Sequence, residues 1–423
     1  MKIAMFTNTY LPHVGGVARS VKTLEDACRA HGHEVRVIAP DFDGQEKSPH
    51  VLRVPAIQHF NGSDFSVQLP IPNLIRDCIE DFAPDLIHSH HSFLLGDAAL
   101  REARKMQIPI VFTHHTLYER YTHYVPLDSP ALRRVVIRLT TEYCNLCDEV
   151  IAPSGSIARL LRERGVTTPI QPIPTGIDLE FFASGNGARC RNLLGIPHDA
   201  KVIGHVGRLA KEKNLIFLSE AVAKCLEAEP STVFLVVGDG EDHPEMLAIL
   251  RKSAGKRRVH VVGTLIDQNL ADAYAAMDCF VFASQTETQG LVLAEAMAAG
   301  KPVVAIDGPG VREIVNDGEN GLLLAGDAST DELSTSLRDI LNHPELLQFC
   351  SENARHTALH YGEEHSVQRI LHCYKHLIAE HQPRSDVDFT GWDRLLATIS
   401  VEWDLFLEKM SAASAAVMKG STH

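Results

Sequence analysis

The sequence predicts an α/β fold: two doubly wound parallel-sheet domains facing each other across a cleft, with a helical tail. Three observations predict it. At 423 residues the chain is too long for one ordinary core. Short continuous apolar runs alternate with helix-length segments in both halves, the pattern of strands buried on both faces by crossover helices. After Pro383 the grammar changes to one long apolar stripe at helical spacing.

In the first half, KIAMF (2–6) is followed by a Gly-Gly loop and a helix around 16–30. The apolar runs EVRVIA (34–39), DLIHS (85–89), IPIVFT (108–113) and DEVIAPS (148–154) follow. The second half repeats the scheme with KVIGHVG (201–207), a helix after Asn214, TVFLVVG (232–238), RVHVVG (258–263), DCFVFAS (278–284), a helix near 290–299, KPVVAI (301–306) and GLLL (321–324). Gly, Ser and Asn cluster at 175–190 and mark the seam. The domains expected are therefore 1–175 and 176–360. A helix at 361–383 is expected to cross back to the first domain, and an amphipathic extension fills 384–423. In that extension Phe389, Trp392, Leu396, Ile399, Trp403, Phe406 and Met410 form the stripe. Its other face is net acidic, which suits packing on its own body or a homodimer contact better than an anionic membrane.

Composition excludes several classes. A net charge of −14 argues against a nucleic-acid partner, which needs a basic footprint. No apolar run approaches the ~20 residues that span a bilayer. The N-terminus MKIAMFTNTY has no small-residue cleavage site, so a cytoplasmic location is expected. The nine cysteines are scattered and read as reduced core thiols. A local basic patch does exist. In SPALRRVVIRLT (129–140), Arg133, Arg134 and Arg138 sit among apolar residues, either as a helix lying on an anionic membrane or as a solvated surface helix.

Open α/β sheets bind ligands beyond the carboxyl ends of their strands, and the chemistry-bearing motifs fall there. In SQTETQGLVLAEAMAAGKPVVA (284–305), Glu287 lies on the loop before the helix and Glu295 about two turns into it. They suit two contacts on one extended ligand, a sugar at one end and a ribose at the other. The helix-start amides between them offer an anion site. In GRLAKEKN (207–214), Arg208 and Lys213 can neutralise two phosphates. In YLPHVGGVARS (10–20), Gly15 and Gly16 bare the backbone at the first strand-to-helix turn, without the G-x-G-x-x-G spacing of a dinucleotide site. Three histidines and three tyrosines crowd THHTLYERYTHYVP (113–126) behind the strand IPIVF. His88, His90 and His91 end another strand; they invite a metal reading with His115, but the acidic Asp41-Phe-Asp43 and Asp386-Val-Asp388 strings fall elsewhere, and no metal is expected.

Over roughly residues 1–380 these segments resemble the retaining glycosyltransferases of the GT4 family, which have the two-Rossmann GT-B architecture. The resemblance rests on the glycine loop at 15–16, Thr-x-His-Thr at 113–116, PTGID at 174–178, GRL…K at 207–213, the paired glutamates at 287 and 295, and DGENGLL at 317–323. It implies a sugar-nucleotide donor, no cofactor and no bound catalytic metal. Arg208 and Lys213 would hold the donor diphosphate, with Gly16 against it, and Glu295 the ribose. Glu287 with Thr288, Gln289, Gly290 and Leu291 would hold the transferred sugar, and His115 would contact that sugar. The loop further resembles that of bacterial glucosyltransferases acting on diacylglycerol, in which Tyr118, Tyr121, His123 and Tyr124 would line a lipid acceptor's entrance.

The expected activity is transfer of a hexose, glucose foremost, from a UDP-sugar to the hydroxyl of 1,2-diacylglycerol with retention, at the inner face of the cell membrane. Other acceptors (phosphatidylinositol, a polyprenyl-linked glycan, a soluble sugar) stay open. So does a sugar-nucleotide epimerase or a binding module on the same fold, though neither needs an aromatic mouth for a second substrate.

Overall fold

The computed structural model describes residues 1–13, 15–42, 48–57, 67–68, 72–120, 129–254, 257–382, 389–394 and 396–397. The first domain contains β1 (Lys2–Phe6), β2 (Glu34–Pro40), β3 (Val51–Val54), β4 (Ala56–Ile57), β5 (Val67–Gln68), β6 (Leu86–Ser89), β7 (Ile110–Thr113), β8 (Glu149–Ala152) and β9 (Ile170–Pro172). Helices α1 (Gly16–Ala30), α2 (Pro72–Phe82), α3 (Leu95–Met106), α4 (Pro130–Leu146) and α5 (Gly155–Glu163) connect them. Seven strands form one parallel sheet in the order β3-β2-β1-β6-β7-β8-β9, while β4 and β5 pair separately as an antiparallel couple.

The second domain opens with α6 (Leu179–Ala183) and α7 (Gly187–Leu194). Its sheet has the order β12-β11-β10-β13-β14-β15, again all parallel. The strands are β10 (Lys201–Val206), β11 (Thr232–Val237), β12 (Val259–Val261), β13 (Cys279–Phe282), β14 (Val303–Ile306) and β15 (Gly321–Leu324). The helices α8 (Leu215–Ala228), α9 (His243–Ala254), α10 (Asp267–Ala276), α11 (Leu291–Ala298), α12 (Thr330–Asn342) and α13 (Pro344–Ala358) cover it. Alternate residues of each central strand enter cores on opposite faces: Ala4 and Phe6 against Ile3 and Met5 in the first sheet, Phe280 and Phe282 against Cys279 and Val281 in the second. Burial on both faces is why these strands read as unbroken apolar runs.

At the seam Ser184 and Asn186 cap helices, while Gly176, Gly185 and Gly187 let backbones approach closely. Asp178 accepts from the Phe181 amide at 2.9 Å and starts α6; Asn186 accepts from Arg189 at 3.0 Å and starts α7. The chain crosses between domains twice, side by side. The Ile177 amide donates to the Tyr361 carbonyl at 2.8 Å, and the Glu363 amide to the Ile177 carbonyl at 3.0 Å. A Cβ on Gly176 would lie 2.4 Å from Glu363 Cα, so only glycine lets the strands of this crossing approach. Helix α14 (Glu363–Glu380) then packs on α1, with Val367, Ile370, Leu371 and Tyr374 in the same core as Ile3 and Met5.

The tail returns to the first domain as well. Trp392 is 2% exposed, its indole N–H donates to Asp97 at 2.6 Å, and its ring lies 5.5 Å from that of Tyr143. Arg101 bridges Asp97 and Asp393 and lies over the Phe389 ring. This part of the stripe packs on the protein's own body; Ile399, Trp403, Phe406 and Met410 lie outside the described residues.

Candidate active site

In both sheets the strand order reverses beside the first strand, between β1 and β6 and between β10 and β13. A crevice opens at such switch points, and the loops after these four strands meet there. After β13 the chain reaches Gly290 with φ 80, a left-handed conformation, and a Cβ there would lie 2.9 Å from Leu293 Cδ1. This turn launches α11, with Glu287 before it. Glu295 is the fifth residue of α11, little more than one turn in, where the sequence pattern suggested two.

Glu287 is joined to Lys213 by a 2.5 Å ion pair, with side chains only 16% and 18% exposed. Burial pushes its carboxyl up, but the Lys213 ammonium outweighs that and holds it below the usual carboxylate range, so Glu287 is ionised. Lys213 ends a short turn, 211–213, whose Glu212 pairs with Arg208; Arg208 is 43% exposed at the side chain. Glu295 is 3% exposed. Its Oε1 receives Arg19 from α1 at 2.9 Å and its Oε2 the Tyr274 hydroxyl at 2.6 Å.

The two domains touch through the same segment. Thr288 donates its hydroxyl to the His115 carbonyl at 2.7 Å, and the Ser154 hydroxyl donates to the Thr288 carbonyl at 2.7 Å. The Gln289 side-chain amide grips Thr175 at both backbone groups, at 2.7 and 2.8 Å. A Cβ on Gly16 would lie 3.8 Å from Leu291 Cδ1, so the turn carrying Gly15 and Gly16 faces the start of α11.

His115 belongs to a nest of imidazoles. Its Nε2 lies 3.0 Å from His90 Nδ1, and His88 bonds Tyr374 at 2.5 Å and Thr113 at 2.7 Å. Burial depresses His88 and His91 to about 3 and His114 to about 4. His90 and His115 are held well below the ordinary value, by burial first and by neighbouring imidazoles second. All five are neutral near pH 7. Among the described residues no group of three or more His, Cys, Asp or Glu is arranged to hold a metal ion. Asp43, Asp386 and Asp388 lie outside them.

The structure thus brings Lys213, Glu287, Thr288, Gln289, Gly290, Leu291, Gly16 and His115 to one crevice. Of the acceptor candidates, Tyr118 packs half-buried against Phe93, with ring centroids 4.8 Å apart, near His91 and His114. Tyr121, His123 and Tyr124 fall outside the described residues. Arg133, Arg134 and Arg138 are exposed on the first half of α4, where Leu132, Val135, Val136 and Ile137 are only half-buried. Ser129 caps that helix on the Leu132 amide at 3.1 Å. Sequence reasoning missed Arg19 and Tyr274. Arg19 had a signal, being one helical turn beyond Gly16; Tyr274 had none.

Residues 14–181 match the family described as Glycosyltransferase Family 4, and residues 189–357 the one described as Glycosyl transferases group 1. The alpha-monoglucosyldiacylglycerol synthase of Acholeplasma laidlawii is 31% identical over 392 residues, covering 89% of this chain and 98% of that protein. The chain belongs to glycosyltransferase family 4. Another relative is a GDP-mannose-dependent alpha-mannosyltransferase of Corynebacterium glutamicum, 29% identical over 335 residues, or 77% of this chain and 76% of that one. The fold of this glycosyltransferase matches sucrose-phosphate synthase from Thermosynechococcus elongatus with a TM-score of 0.74 at 23% identity, over 89% of this chain and 99% of that one. It is the GT-B architecture. No helix among the described residues is long and apolar enough to cross a membrane.

Proposed function

We propose that this glycosyltransferase moves glucose from UDP-glucose to the free hydroxyl of 1,2-diacylglycerol, retaining the α configuration, while docked on the inner face of the cell membrane. The observation that carries the reading is the run Lys213–Glu287–Thr288, in which a cation and an ionised carboxylate stand next to the Thr288 hydroxyl that bonds the His115 backbone carbonyl where the two domains touch. A sugar diphosphate needs that sequence of groups along its length. The 31% identity to a monoglucosyldiacylglycerol synthase supports glucose and the lipid acceptor. The exposed arginines of α4 above half-buried aliphatic residues support docking on an anionic surface.

In the proposed reaction the bond from the anomeric carbon to the β-phosphate oxygen loosens first. Negative charge builds on the diphosphate and is met by Arg208 and Lys213, with Gly16 and the amides before α11 beside it. The acceptor hydroxyl forms the new bond on the same face, and its proton passes to the departing phosphate oxygen. Glu287 and His115 hold the sugar in place, and Glu295 takes the ribose hydroxyls. The test is incubation with diacylglycerol vesicles and separate UDP-glucose, UDP-galactose, UDP-glucuronic acid and GDP-mannose, reading lipid products by mass. A hexose added from UDP-glucose is the expected result. Transfer from GDP-mannose instead would favour the second reading, for which the mannosyltransferase relative speaks.

A further inference from the structure

We propose that Arg19 is a positioning residue of the donor site, acting through Glu295 so that a nucleoside ribose is gripped only when the two domains are closed on each other. The inference rests on the ribose role of Glu295 given above and adds a group from the opposite domain.

Two facing helical turns carry it. On α1, Gly16 and Arg19 are one turn apart; on α11, Leu291 and Glu295 are one turn apart. Gly16 faces Leu291 and Arg19 pairs with Glu295, so the two turns lie along each other across the domain boundary. The next residue, Ser20, continues the contact: its hydroxyl lies 3.0 Å from that of Thr175, whose backbone holds Gln289.

Charge explains why the pair matters. Glu295 is 3% exposed, and within its own domain its side chain meets a phenol, Tyr274, rather than a cation. A buried carboxylate is costly without a counter-charge, and Arg19 supplies it from the other domain. Separating the domains strips that charge away. Geometry explains the grip. A carboxylate has about four lone-pair sites. Arg19 occupies one on Oε1 and Tyr274 one on Oε2, which leaves one on each oxygen. Two vicinal ribose hydroxyls are the groups that match this pair. Arg19 therefore sets both the rotamer of Glu295 and the direction of its remaining acceptors.

The test is calorimetric titration of wild type, Arg19→Ala and Arg19→Lys with UDP and with 2′,3′-dideoxy-UDP. Wild type is expected to bind UDP at least tenfold tighter than the dideoxy compound, since two hydroxyl bonds to a carboxylate are lost. In Arg19→Ala the ratio should shrink to threefold or less through weaker UDP binding, with the dideoxy affinity unchanged. Arg19→Lys, which keeps the charge but not the planar fork, should recover part of it. A merely structural role would weaken both ligands equally. Full discrimination in Arg19→Ala overturns the role of Arg19 alone. A wild-type protein that binds both nucleotides equally overturns the ribose role of Glu295 and this inference with it.

Discussion

The two lobes of the cleft solve different electrostatic problems. The second domain presents full charges: Lys213, Arg208, Glu287 and Glu295, paired so that burial leaves Glu287 ionised. The first domain presents five imidazoles at the ends of β6 and β7, buried deeply enough to stay neutral. A diphosphate that gains charge during bond cleavage calls for fixed cations, whose effect is large in a water-poor site. A sugar has only neutral hydroxyls, and a neutral imidazole can bond them without the cost of stripping water from an ion. The division is not complete: Arg19 of the first lobe pairs with Glu295 at 2.9 Å, and Glu287 of the second is proposed to hold the sugar with His115.

The contrast can be broken at either lobe. The largest expected effect is in the charged one: Arg208→Ala should lower turnover about a hundredfold, near 3 kcal/mol, with an unchanged circular dichroism spectrum. Retention of more than half the wild-type rate would separate Arg208 from the diphosphate. The next effect concerns the neutral lobe and stability. Because His88, His91 and His114 have folded values far below the unfolded 6.5, protons favour the unfolded chain. Their contribution is complete above pH 6.5 and falls as pH drops, toward about 4 for His114 and about 3 for His88 and His91, each costing about 1.4 kcal/mol per pH unit within its window. Urea unfolding across that range reads it, and a midpoint flat from pH 6.5 to 5 would contradict the neutral nest. The smallest effect is His115→Ala. Loss of one neutral hydrogen bond is worth about 1 kcal/mol, or roughly fivefold in turnover. A loss as large as that of Arg208→Ala would mean that His115 handles charge and that the lobes are not so divided.

The interior of the fold was legible because central strands of a doubly wound sheet are buried on both faces. TVFLVV reads as strand β11 for that reason, every residue of it being buried. The edge strands of the first sheet were not legible, although those of the second, in RVHVVG and GLLL, were. Val51–Val54 and Ile170–Pro172 end the first sheet, are short and partly exposed, and carry no continuous apolar signal. The candidate site was legible where a charged residue lies on the loop after a strand, as Glu287 lies after β13 and pairs with Lys213 from the loop after β10. Contacts between domains were not. Arg19, one helical turn beyond Gly16, gave no hint of its partner in the other domain, and Tyr274 reads as one more core aromatic because its partner, though in the same domain, lies on another helix. The meeting of His90 and His115 was open to the sequence as two strand ends that could join, and the structure makes it a direct hydrogen bond because β6 and β7 are neighbours.

The central claim is that the crevice between the domains holds a sugar diphosphate, cations at its middle. A crystal structure of the protein with UDP tests it most directly. The diphosphate should lie within about 3 Å of Arg208 and Lys213 nitrogens, beside Gly16, with the ribose at Glu295. A nucleotide bound outside the crevice, or with its phosphates turned away from both cations, would contradict it.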